Sequence, residues 1–364
     1  MKKRFADLFV ILLLLLALCA QAAAASILDP LCGLLGTDDP LGSDALVAGD
    51  SVSDWTAFLA GRLGETTHRE VYLDKLWRYV SEQYQAKGGL DAVRATQWHR
   101  VALTVLALGA DPTCFGTDAE GQPIDLIADG TYGWETTQSL GTQGLNGWIF
   151  ALLTLDARQY TPPTGAAYTR EDMLAAILAA QEADGGFGLS AGQSDVDITA
   201  MALQALAPYR ASHAEAIERA LDFLSAAQTA RGDYDTGAES CAQVILALCA
   251  LGLDPRTEPR FVKAGGSVYD GLLLYRTQSG AFCHTLDTAA QPLSTQQAAL
   301  ALLAVERGGS VYDLTGVSVE PYAYRENRSV QPHRTVYYLL GGAAAVLLLA
   351  GGLLLWKRKT STRE

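Results

Sequence analysis

Two carboxylates, Asp195 and Asp197, flank Val196 just before an apolar run over 198–206. A carboxylate there can take backbone N–H groups at the positive end of a helix, so capping is one role open to Asp197. Trp98, Trp134, Trp148, Phe187, Tyr234 and Phe282 recur near the starts of comparable runs. Their rings can stack on a sugar, a corrin or an isoprenoid, or can wedge one helix against another. Asn146, Gln243 and Gln297 stand close to the same places and can hydrogen-bond a ligand or cap a helix. Other chemistry is poorly supplied. No serine sits in a nucleophile elbow, and the five histidines are scattered. No Cys-x-x-Cys or Cys/His cluster points to a metal, and no cofactor is implied.

The elements that would position these residues repeat. Short apolar segments centred on Phe58, Leu103, Leu152, Leu203, Leu246 and Leu300 recur at intervals of about 43–54 residues. Each is apolar nearly all round a helical wheel and must be covered on every side. Amphipathic helices alternate with them. In the first, Leu73, Leu76, Trp77, Val80 and Tyr84 form the dry stripe. Others are expected over 169–182, 213–228 and 260–278. Gly88-Gly89, Asp184-Gly185-Gly186, Gly232-Asp233 and Gly265-Gly266 punctuate the hairpins. The simplest packing is an all-α (α/α)6 toroid over 50–315, with the apolar helices as an inner ring and the amphipathic ones outside. The loops before the inner helices then converge on a mouth, the natural place for a ligand.

Both ends read as targeting segments. Lys2, Lys3 and Arg4 precede a 13-residue apolar run, Leu8 to Ala20, and small residues follow at 22–25, so 1–25 is expected to be a signal peptide. An N-terminal extension, 26–49, leads into the body. Beyond it a polar stalk is expected over 316–335, with a glycosylation sequon at Asn327-Arg-Ser329. Residues 336–356 carry no charge, are edged by Tyr337, Tyr338 and Trp356, and are followed by Lys357, Arg358 and Lys359. That is the pattern of a single transmembrane helix with a cytoplasmic tail at 357–364 and the body outside the cell. Removing both ends takes seven of the 27 Lys+Arg and two of the 40 Asp+Glu, leaving 20 against 38. So acidic a body repels nucleic acid.

An extracellular setting permits disulfides. Cys249 lies within an apolar run and is expected to pack. Cys241 and Cys283, each near a loop-to-helix start, are the expected pair, and Cys32 with Cys114 a second one.

The segment Leu174-Ala-Ala-Ile-Leu-Ala-Ala-Gln181-Glu-Ala-Asp184-Gly-Gly-Phe187 resembles the glutamine-aromatic repeat of squalene–hopene cyclases and protein prenyltransferase β subunits, echoed at Gln228–Tyr234 and Gln278–Phe282. With Ser194–Leu206, Glu239–Cys249 and Gln143–Gly147, the chain is more closely similar to bacterial surface proteins carrying prenyltransferase/squalene-oxidase repeats, over about 50–315. The resemblance implies the toroid. It also gives Asp195-Val-Asp197-Ile198-Thr199 a likeness to the Asp-x-Asp-Asp-Thr acid of the cyclases, with Asp197 as proton donor, although Ile198 replaces one carboxylate. A prenyltransferase zinc site needs Asp-x-Cys, and Asp233-Tyr-Asp235 lacks the Cys. The toroid is shared with transcobalamin-like carriers. The expected function is therefore a non-enzymatic surface module binding a small molecule, glycan or protein at the mouth. A cyclase-like enzyme using Asp197, or a corrinoid or other small-ligand carrier, is the alternative.

Overall fold

The computed structural model describes residues 27–134 and 139–326. The expected signal peptide, transmembrane helix and tail lie outside them. Among the described residues, no helix is long and apolar enough to cross a membrane. The described chain is all-α except for a hairpin of two short strands, β1 (Val262–Lys263) and β2 (Gly266–Ser267), and isolated bridges.

Six helices carry the apolar segments: α2 (Ser51–Leu63), α4 (Thr96–Ala107), α6 (Asn146–Asp156), α8 (Val196–Leu206), α10 (Ala238–Ala250) and α12 (Pro292–Arg307). Their lack of a polar face dictates their burial: every residue of α4 from Trp98 to Ala107 is buried. α2 packs on α4, α4 on α6, α6 on α8, α8 on α10, α10 on α12, and α12 on α2. Side-chain bonds near the helix starts show that α2, α4, α6, α10 and α12 begin at the same end. Arg100 meets Asp54 at 2.8 Å, Thr96 meets Gln143 at 3.2 Å, Ser294 meets Glu239 at 2.5 Å, and Gln296 meets the Val52 carbonyl at 2.7 Å. Preceding them in turn are α1 (27–35), α3 (Arg69–Lys87), α5 (Leu126–Gly130), α7 (Arg170–Ala179), α9 (Ala214–Ala227) and α11 (Val268–Leu273).

Two side-chain clamps explain the repeated motif. The Phe187 N–H donates to Thr199 Oγ1 (2.8 Å), whose hydroxyl reaches back to the Phe187 carbonyl (3.1 Å). Phe282 and Thr295 repeat this at 2.9 and 3.3 Å. Gln181 donates to the Gly185 and Ala216 carbonyls, and Gln228 to those of Gly232 and Phe261, tying one outer hairpin to the next. Phe187, Tyr234 and Phe282 are buried, so these rings are wedges and not ligand platforms.

Several expectations are corrected. The helix expected over 260–278 is only the six residues of α11, because Gly265-Gly266, with Gly266 at φ 140°, turns the chain into the β1–β2 hairpin first. The segment expected as a stalk lies on the body as far as residue 326. Leu314 N–H donates to the Ala157 carbonyl (2.9 Å), Glu320 exchanges backbone bonds with Gly109 and Asp111, and Tyr322 donates to Asp74 (2.6 Å). Tyr324 stacks on Trp77 at 4.2 Å. These partners explain its fixed course without periodicity: it is a strap over the last turns of α6, α2 and α4. Tyr312 of this strap packs against Phe58, Trp55 and Phe150 at centroid distances of 5.7, 6.2 and 6.3 Å. Neither expected disulfide is present. Cys32, Cys114, Cys241, Cys249 and Cys283 are all free. Cys283 instead donates its thiol to the Tyr275 carbonyl (3.1 Å), and burial pushes the Cys241 thiol up to about 12.

Tyr312→Ala removes the ring at the centre of this aromatic group. It should cost about 3 kcal/mol, comparable to other buried aromatic truncations, as read by urea unfolding. Reducing agent should leave the urea midpoint unchanged. A loss near 2–4 kcal/mol on reduction would reveal a bridge that this structure lacks.

Candidate functional site

At the end where the six buried helices begin, α8, α10 and α12 bring their polar first turns together. Asp195, not Asp197, is the N-cap of α8, accepting from Ile198 N–H at 2.9 Å. Asp197 is thereby released from capping and turns toward α10, where Ser240 hydrogen-bonds it. Its Oδ1 is buried without a partner. Burial is the chief cause raising the Asp197 carboxyl above the usual carboxylate range. The Ser240 bond opposes that, and the charges of Asp195 and Glu239 add to it. Ser240 in turn accepts from Thr236 at 2.6 Å.

Glu239 occupies the place in α10 that Asp197 occupies in α8, two residues beyond the respective N-caps Gly237 and Asp195. One Glu239 oxygen lies 2.7 Å from His284 Nδ1, and the other accepts from Ser294 at 2.5 Å. Gln291 donates to Ser294 at 3.0 Å. Glu239 occupies the Nδ1 side of a half-exposed ring whose Nε2 edge is left open. Asp197 and Glu239 thus share one histidine as neighbour, and Asp195 stands beside Asp197. This patch offers acceptors and negative charge, held at helix starts whose dipoles favour both.

Behind it the interior is crossed by side chains. Gln204 donates to Gln243 (2.9 Å), and Gln243 donates to Gln297 (3.2 Å), linking α8, α10 and α12. On the other side Trp55 and Phe150, from helices separated by α4, meet at 6.1 Å.

The other expected ligand residues divide. Trp98 and Trp134 are buried edge-to-face at 5.2 Å between α3 and α5, and the Trp98 indole N–H donates to Tyr84. Gly89 and Gly130 leave the space that the Trp98 ring fills, and both tryptophans also line a cavity of about 390 Å³ with Tyr84, Gly88, Asp91 and Asp129. Trp148 is half-buried against Tyr168 and lines a surface pocket with Leu189 and Gln181. Asn146 keeps a buried Oδ1 without a partner at the start of α6. Gln243 and Gln297 are joined to each other. Sequence reasoning missed Glu239, Ser240, Ser294 and His284 as a group. The shared position of Asp197 and Glu239 after their caps was the available signal. Among the described residues, no cluster of His, Cys, Asp and Glu could hold a metal.

No known family profile and no curated protein matches the chain.

His99, in the first turn of α4, is fully buried with Nε2 on the Gly130 carbonyl at 2.6 Å. Burial lowers its pKa from 6.5 to about 4, so it is neutral in the fold. From pH 6.5 down to 4 the unfolded chain takes up a proton that the folded chain refuses, and stability should fall by about 3 kcal/mol over that window. Urea unfolding at pH 7 and pH 4 should show less of this loss in His99→Gln.

Proposed function

We propose that this chain is an extracellular, membrane-tethered α/α toroid that captures a cationic ligand at the mouth of its inner helices without altering it. The ligand class is an ammonium or guanidinium group, as on a basic peptide or an amino sugar. The observation that carries the reading is the mouth cluster, in which Asp197 presents a buried, unpartnered carboxylate oxygen beside Glu239, Ser240 and His284. A donor entering there satisfies an acceptor that otherwise carries a desolvation cost. The overall net charge of −13 draws cations to the same surface.

The toroid reading is supported by the closed cycle of contacts from α2 to α12 and back, and by the six pairs in which a less buried helix precedes a buried one. The resemblance to surface proteins with prenyltransferase/squalene-oxidase repeats agrees with the Gln and Thr clamps. The glutamine chain and the Trp55–Phe150 contact lie where a cyclase needs a deep apolar chamber. Capture without chemistry therefore fits better than isoprenoid cyclisation. One observation favours a second reading: burial raises the Asp197 carboxyl, as a proton donor requires.

Thermal-shift titration of the full chain with a lysine- and arginine-rich peptide, glucosamine, a corrinoid and an isoprenoid alcohol separates the readings. The peptide or glucosamine should raise the melting temperature. Asp197→Ala combined with Glu239→Gln should weaken that binding at least about tenfold, or 1.4 kcal/mol. Turnover of the isoprenoid, abolished by Asp197→Asn, would replace capture with catalysis.

A further inference from the structure

A second cavity, of about 300 Å³, lies at the opposite end of the inner helices, between the last turns of α6, α8 and α10 and the strap. Asp156, Gln204, Ala250, Ser310, Tyr312 and Asp313 are among its walls. Its volume is at the lower end of the range of small-ligand sites.

Of the two carboxylates in its wall, Asp156 is balanced by an ion pair and Asp313 is held by hydrogen bonds. Asp156 is paired with Arg170 at 2.8 Å and accepts from Tyr209 at 2.8 Å. Asp313 accepts from the Thr315 hydroxyl at 2.6 Å and is attracted by Arg62. No lysine, arginine or histidine is part of the cavity wall. An anionic guest finds no cation on the wall, one carboxylate is already paired, and the remaining carboxylate lone pairs suit O–H donors. Ser310 accepts from the Tyr312 N–H (3.1 Å) and keeps its own proton to donate. The cavity is also two-natured. Gln204 leads to the amide row of Gln243 and Gln297, while Tyr312 leads to the rings of Phe58, Trp55 and Phe150. Gln159, another wall residue, is held at φ 57°, a conformation that non-glycine residues seldom adopt and that collects at ligand clamps.

We propose that this cavity is a second binding site, taking a neutral polyol of monosaccharide size. Hydroxyls would meet Asp156, Asp313 and Ser310, and the C–H face would lie toward Tyr312 and Ala250. The site is independent of the mouth.

Saturation-transfer NMR and calorimetry on the full chain, with glucose, N-acetylglucosamine and inositol as probes and choline as a cationic control, test it. At least one neutral probe should bind saturably. Ala250→Leu, which fills the cavity, and Asp313→Asn, which removes an acceptor, should each weaken it tenfold or more, with far-UV circular dichroism confirming that both variants fold. Glu239→Gln at the mouth should leave it unchanged. No saturable binding of any neutral probe, binding that survives both variants, or binding of choline alone would overturn the assignment.

Discussion

A helix with no polar face has to be covered on every side, and six such helices in one chain can cover one another only if the last returns to the first. That return is made by α12 on α2. There Gln296 donates to the Val52 carbonyl and to Thr56, across more than two hundred residues of chain. The neighbouring contact, α2 on α4, is fixed by a buried ion pair: Asp54 accepts from Arg100, Tyr72 and the Gly49 N–H together. With so many donors on one carboxylate, the pair has a single geometry, and its chief contribution is to set the register of α2 against α4. Once these contacts hold, the polar first turns of the six helices gather at one end and their last turns at the other.

The two ends then differ for a physical reason. First turns expose N–H groups and tolerate acidic side chains, which is why Asp195, Asp197 and Glu239 can crowd together there. Last turns expose carbonyls, and arginines answer them: Arg210 donates to the Leu251 carbonyl after α10 and Arg307 to that of Arg62 in α2, while Arg158 holds the strap through the Leu314 and Val317 carbonyls. The strap covers this second end and lowers Tyr312 among the rings of α2 and α6. One end is an open acidic patch. The other is a pocket beneath the strap whose wall carries no cation.

How much of this was legible in the sequence depended on the range of the interaction. The apolar repeats announced the buried helices, and the Gly-rich turns announced the hairpin ends, because both are consequences of local composition. Spacing singles out Asp197 but leaves both capping and proton donation open to it, because it cannot say which of two nearby carboxylates takes the backbone. Asp195 does so, since the N-cap needs extended backbone, which it has at φ −132° and ψ 141°. Trp98 and Trp134 stand near helix starts in the chain, and the fold sets their rings edge to face on the wall of a cavity shared with Tyr84 and Asp129, a placement that no local window specifies.

By itself, then, the sequence determined the all-helical class, the alternation of half-buried and buried helices, and the acidic character of the body. Each follows from side-chain type at short range. Only the tertiary structure decided that Glu239, His284 and Ser294 join Asp197, that the cysteines stay apart as thiols, and that residues 310–326 lie on the body instead of leaving it. Those outcomes depend on which helix ends meet. That is fixed by how apolar surfaces far apart in the chain cover one another, information that no local window of residues contains.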